Sequence, residues 1–271
     1  MKHVIFTGGL GNQMFEYALT IALRHQGYCV QIDTSYYDFF QMHNGYELER
    51  VFGIEEFCIN KQGLHMFLLR LLHKTRPRLL YRIDDLKYDE SIICKPQSYL
   101  FGYWQDERYF SEVKEQVRTL FSFKGVDERN LKIAKRIQSC NSVSLHIRRG
   151  DYAVFGKTII KDDFYERAVK EITSHVNNPL YFIFSDDIDA SKEIVNKLGI
   201  NYVIMGHNSG KNSYLDMFLM SQCKHNIIAN SSFSWWGAWL NDNNNKIIIA
   251  PKVWDAKISS FTPQCKSWIL M

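Results

Sequence analysis

The stretch SVSLHIRRGDY, residues 142–152, concentrates groups that could do chemistry. Val143, Leu145 and Ile147 alternate with Ser144, His146 and Arg148, and a period of two is that of a strand. Strands of a parallel sheet are covered on both faces, so a polar row of His146 and Arg148 requires buried partners or a ligand. If extended backbone persists, Arg148 and Arg149 point to opposite sides, Gly150 allows a sharp turn, and Asp151 folds back as an acceptor. One guanidinium then meets a ligand, and its planar, permanently charged fork matches phosphate oxygens. The structural alternative is an Arg149–Asp151 ion pair closing the turn, which leaves the charge of Arg148 unbalanced.

Three further stretches carry candidate groups. In HNIIANSSFSWWGAWL, residues 225–240, a strand runs into Asn230, Ser231 and Ser232 before an aromatic helix. Backbone N–H groups and hydroxyls at such a helix start bind anions, and a diphosphate there would complete the site that Arg148 begins; ordinary capping by Asn230 or Ser231 is the alternative. Trp235 and Trp236 either pack in the core or stack on a sugar lining an acceptor groove. In YFIFSDDIDA, residues 181–190, Asp187-Ile188-Asp189 has the form of a manganese-holding pair, but acids are also favoured in a first helical turn. A third reading, which we favour over metal, has Asp186 or Asp187 accept from the N1–H and N2–H2 donors of a guanine. In TGGLGNQMFEYA, residues 7–18, a dinucleotide fingerprint fails because Met14 occupies the third glycine position, and no lysine follows to make a P-loop. Gly8, Gly9 and Gly11 instead let backbone approach a ligand, and Asn12 supplies a donor and an acceptor aimed at a reacting junction.

These residues need strand ends and helix starts to hold them. His3–Thr7 reads as a buried strand, Asn12–His25 as a helix and Tyr28–Asp33 as a second strand, one βαβ unit. Residues 35–103 are aromatic-rich and show no resolvable order. From Asn141, apolar runs at NSVSLHI, PLYFIF, INYVIM, HNIIA and KIIIA alternate with helical stretches near 163–175, 188–198, 213–223 and 232–241. That alternation predicts a parallel, doubly wound sheet. A boundary near 124–128 gives two Rossmann-like halves, 1–125 on the acceptor side and 126–271 on the nucleotide side. Residues 61–82 hold six basic and no acidic side chains, as an amphipathic helix packed on its own domain or as a face for an anionic membrane or a lipid-linked acceptor.

The formal charge of +4 is too mild, and its basic residues too dispersed, to argue for nucleic acid, but it suits an anionic small ligand. Six cysteines without close pairs or metal-ligand spacing fit a reducing compartment. No apolar run approaches the roughly 18 residues of a spanning helix, so the chain is expected to begin at Met1 and stay soluble in the cytoplasm.

Together, GGLGNQMFEYA, HIRRGDY, FSDD and NSSFSWWGAWL resemble, in order and spacing, the motif set of the family 11 glycosyltransferases, the α-1,2-fucosyltransferases. The resemblance implies an α/β fold of glycosyltransferase B type, with two Rossmann-like domains facing a central cleft. It implies inverting transfer of fucose from GDP-fucose, without cofactor or metal, to the 2-hydroxyl of a galactose-terminated glycan of blood-group-H or O-antigen kind. Arg148 would touch the diphosphate and leaving oxygen, Asn12 the reacting end, and His146 the nucleotide. Ser231, Ser232 and Phe233 would surround phosphate and guanine, with Gly9, Gly11, Asp186, Asp187 and Asn230 completing the donor site. Trp235, Trp236 and Glu16 are expected on the acceptor side; Glu16 itself departs from the glutamine of many relatives. Asp151, Glu16 and His146 all stand open as the general base. A metal-dependent transferase of another sugar nucleotide and a non-catalytic GDP-sugar or glycan-binding protein are the competing readings.

Overall fold

The computed structural model describes residues 1–38, 43–56, 58–59, 81–83, 86–92, 94–149, 159–258 and 261–271, with backbone alone at 58–59 and 81–83. It divides into two compact units, Met1–Lys124 and Gly125–Met271.

In the first unit, β1 (Lys2–Ile5), α1 (Leu10–His25) and β2 (Val30–Asp33) form the expected βαβ unit. Along α1 only Asn12, Arg24 and His25 are not buried, so this helix is covered nearly all round and Asn12 is the one position of its first turns that reaches the surface. After α2 (Leu48–Phe52) come β3 (Cys58–Ile59), β4 (Tyr81–Ile83) and β5 (Tyr99–Phe101), then a 3₁₀ segment, Glu107–Val113, running into α3 (Lys114–Leu120). The strands pair in parallel in the order β3-β2-β1-β5-β4. Strands of two or three residues show no period, which is why residues 35–103 gave no order in the sequence. Most of the basic segment 61–82 lies outside the described residues; its last two positions belong to β4. No described helix is long and apolar enough to cross a membrane.

The second unit opens with α4 (Glu128–Gln138) and continues as β6 (Ser142–Ile147), α5 (Asp162–His175), β7 (Leu180–Ser185), α6 (Ile188–Leu198) and β8 (Tyr202–Met205). It closes with α7 (Tyr214–Gln222), β9 (His225–Ile227), α8 (Ser232–Trp239), β10 (Ile248–Ala250) and β11 (Ile269–Leu270). All pairings are parallel, in the order β11-β10-β9-β6-β7-β8. The period of two sorts β7 between two cores: Tyr181 and Ile183 join Val143, Leu145 and Ile147 against α5, whereas Phe182 and Phe184 face α4 and α7.

In the first sheet the order β3-β2-β1-β5-β4 falls in the same direction on both sides of the β1–β5 contact, and the elements that follow these two strands pack on each other, Phe15 of α1 against Phe110; in the second sheet the strand order reverses, between β6 and β9. Chains leaving such neighbours at their carboxyl ends diverge to opposite faces, which opens the crevice where ligands sit in sheets of this kind.

Trp235 and Trp236 do not face an acceptor. Both are 0 % exposed, in a cluster where Trp235 stacks on Trp239 at 6.1 Å between ring centroids and Trp236 meets Trp239 edge-on at 5.1 Å. The Trp235 indole N–H donates to the Pro263 carbonyl at 2.8 Å, which satisfies its one polar group and permits full burial. Close packing of α8 on α7 depends on Gly237, where a Cβ would stand 2.8 Å from Cβ of Met220. Gly237→Ala should therefore lose about 1–3 kcal/mol through overpacking, read as a lower midpoint in thermal or urea unfolding; an unchanged midpoint would show that α8 is free to shift.

Candidate functional site

Ile147 of β6 lies opposite Ser185 of β7, so the next residues, Arg148 and Asp186, leave the sheet side by side. Arg148 Nε meets Asp186 Oδ2 at 3.2 Å, and Asp186 Oδ1 accepts the Arg149 amide at 3.0 Å. Asp186, read in the sequence as a guanine acceptor, thus spends both oxygens on seating the arginine pair. Arg149 points the other way, as the strand period requires, and its guanidinium ion-pairs with Asp162 in the first turn of α5. The expected partner Asp151 lies outside the described residues.

The polar row of β6 resolves into two different answers. Ser144 accepts from Asn226 Nδ2 at 2.7 Å, a buried structural pair. His146 is 4 % exposed, and its Nδ1 has no hydrogen-bond partner among the described residues. Burial and then the charge of Arg148 push its pKa down to about 3, against the opposing pull of Asp186. The lowered pKa favours the neutral imidazole, which can donate or accept a hydrogen bond.

The His146 ring lies 6.3 Å from that of Phe233, in the first turn of α8, which brings the ends of β6 and β9 to one place. Ser231 occupies the cap position in extended conformation, φ −134° and ψ 128°, with no side-chain hydrogen bond capping the helix. Asn230 is turned away to donate to the Trp254 carbonyl at 2.9 Å. The amide end of α8 is therefore left without a side-chain cap, beside half-buried Ser232 and Phe233.

Asp187 caps α6, accepting from the Ala190 amide at 3.0 Å, and Asp189 pairs with Lys192 at 3.0 Å. The two acids of the Asp-Ile-Asp triplet are thus engaged separately, and no group of three His, Cys, Asp or Glu converges among the described residues. A carboxyl group that the sequence did not single out is Asp216, in the first turn of α7. Beyond the carboxyl end of β8, Asn208 Nδ2 donates to its Oδ1 at 2.7 Å, yet burial prevails and raises its pKa to about 7.

In the first unit the carboxyl end of β1 enters the glycine loop. Gly8 has φ +72°, and a Cβ there would stand 2.4 Å from Asn12 Nδ2, so this position admits glycine alone. Its carbonyl accepts from Tyr37 at 2.9 Å and from Gln13 at 3.2 Å. Gln13 is fully buried and reaches on to accept the Glu47 amide at 2.8 Å. Gly9 packs against His43, Gly11 is buried within α1, and Asn12 Oδ1 accepts from Gln105 Nε2 at 2.7 Å.

Glu16 is not on an acceptor face. It is 0 % exposed, and its carboxylate accepts the Thr7 amide at 3.0 and 3.1 Å and the Thr7 hydroxyl at 3.1 Å. A carboxylate sealed in this way anchors the loop and cannot act as a general base on a substrate.

A family model described as Glycosyl transferase family 11 matches residues 1–269. An α-1,2-colitosyltransferase of Escherichia coli is 34% identical over 97% of this chain and 96% of its own. Galactoside 2-α-L-fucosyltransferase SEC1 of Bos taurus is 26% identical over 86% of this chain and 62% of its own. Among solved structures, fucosyltransferase NodZ from Bradyrhizobium aligns with 87% of this chain and 92% of its own at a TM-score of 0.51 and 11% identity. The fold is accordingly the α/β glycosyltransferase B type expected from the motifs.

Asp216 generates a pH prediction. Its folded pKa of about 7 exceeds that of a free carboxyl, so its contribution to stability is full below about pH 4 and is lost as pH rises through 7. Asp216→Asn should flatten the fall in Tm between pH 5 and pH 8 and melt above the wild type at pH 8. An identical pH slope in both proteins would remove this assignment.

Proposed function

The chain belongs to glycosyl transferase family 11, and we propose that it moves L-fucose from GDP-β-L-fucose to the 2-hydroxyl of a terminal galactose on a glycan, inverting the anomeric carbon without a metal ion. What carries this reading is the seating of Arg148 by Asp186 at the strand-order reversal, beside the uncapped amide end of α8. As the acceptor oxygen attacks C1, the bond to the β-phosphate oxygen breaks and negative charge collects on that oxygen. Arg148 supplies a fork, and the first-turn amides of α8 with Ser231 and Ser232 supply further donors; one such donor is commonly worth about 3 kcal/mol.

The neutral ring of His146 and the side chain of Phe233 are assigned to the nucleotide, and Asn12 to the transferred sugar with the backbone of Gly9 and Gly11 close by. Asp186 is committed to Arg148 and Asp187 to its helix, so the carboxyl we assign to the N1–H and N2–H2 donors of guanine is Asp216, at the same carboxyl edge. With Glu16 sealed and His146 given to the nucleotide, the base is assigned to Asp151. The α-1,2 linkage is supported by the two relatives, whose names share it or its 2-position. The colitosyltransferase favours a second reading in which GDP-colitose is the donor. A lipid-linked acceptor is proposed for the basic segment 61–82 to approach.

In chelator, wild-type protein should transfer labelled fucose from GDP-fucose to lactose, and NMR should show an α-1,2 product. Arg148→Lys should lose about 10²–10³ in kcat, because a point charge does not replace the fork. Wild-type rates in that variant, or dependence of the wild type on added manganese, would end the assignment. Faster turnover of GDP-colitose would select the second reading.

A further inference from the structure

In the first unit, β5 ends beside β1 and passes into Gly102-Tyr103-Trp104-Gln105-Asp106. This segment has an unusual backbone. Gly102 has φ +142°, and Trp104, a bulky residue, sits in the left-handed region at φ +52°. Such a conformation persists at a tryptophan only where its surroundings dictate it. Here the Trp104 ring is 1 % exposed and lies edge-on to Tyr109 at 5.9 Å, while its carbonyl accepts the Asp106 amide at 2.8 Å. Asp106 in turn caps the following 3₁₀ segment, accepting from the Arg108 amide at 2.9 Å. The bend is pinned on both sides, and what it delivers is Gln105, whose Nε2 reaches Asn12 Oδ1 at 2.7 Å across 93 positions of sequence.

We propose that Gln105 is a positioning residue that fixes the amide of Asn12 with its nitrogen toward the substrate. The proposal rests on the reading that Asn12 contacts the transferred sugar. Two constraints act on one side chain. Gln105 occupies the carbonyl of Asn12, and the nitrogen lies against Gly8, where a Cβ would come within 2.4 Å. An asparagine amide carries a donor on one side and an acceptor on the other, and an unrestrained one offers either. With its oxygen turned to Gln105, Asn12 presents its amide nitrogen as a hydrogen-bond donor, suited to an oxygen that gains negative charge. Of the four motifs that marked the site in the sequence, none contains Gln105.

The test is a double-mutant cycle on the full chain, with GDP-fucose and lactose as probes, or with the GDP-sugar that the wild type accepts if GDP-fucose is refused. Gln105→Ala should lower kcat by about ten- to a hundredfold, the range expected for a misplaced group, with KM for the donor, Kd for GDP and Tm unchanged. Gln105→Glu should be slower still, because a carboxylate attracts the Asn12 nitrogen and turns the amide over. In an Asn12→Ala background the Gln105→Ala effect should vanish. Equal losses in both backgrounds, or Gln105→Glu faster than Gln105→Ala, would overturn the role of Gln105 while leaving that of Asn12 intact. Wild-type turnover in Asn12→Ala would overturn both.

Discussion

The contact between Asp186 and Arg148 holds the site in the second unit together. A half-buried guanidinium with no carboxylate beside it would be costly, and a mobile one would bring no directional fork to a phosphate. Asp186 meets both needs, because it binds through Nε and through the neighbouring amide of Arg149. Its placement depends on register. Ile147 opposite Ser185 puts the two residues level as they leave the sheet, and a slip of one position would send one of them to the other face. The register is secured by β7, whose alternate residues are shared between two apolar layers.

The two units gather opposite chemistry at the carboxyl edges of their sheets. In the second, the strand-order reversal gathers charge: an arginine pair, two acids and a helix start without a cap. In the first, the edge beyond β1 gathers neutral groups, with Gln13 bonded to Gly8 and Gln105 to Asn12, and the carboxylate of Glu16 is withdrawn into the interior as an anchor. A diphosphate suits the former, and the hydroxyl-rich surface of a sugar suits the latter.

Much of the second unit was legible in the sequence, because its strands are long enough to show a period and its helices separate them regularly. The span Ile188–Leu198 was read to the residue. The middle of the first unit was not legible, since β3, β4 and β5 run two or three residues each and are defined by neighbours far along the chain. Within the site, the sequence singled out Arg148, His146 and Ser231 by the types of group they are. It could not tell which partners each would take. Asp186 turned to the arginines, Arg149 chose Asp162, Glu16 and the two tryptophans turned inward, and Gln105 arrived from a segment without pattern. Local spacing reports what a group is; long-range packing decides whom it meets.

Arg149 and Asp162 are 13 positions apart and joined by their side chains, so the chain between them departs and returns at fixed points. The entropy of closing such a span changes only slowly with its length. The ion pair thus fixes the end of β6 against the start of α5 at little extra entropic cost. Through that tether, the end of β6 keeps its place without depending on the length of the span that follows it.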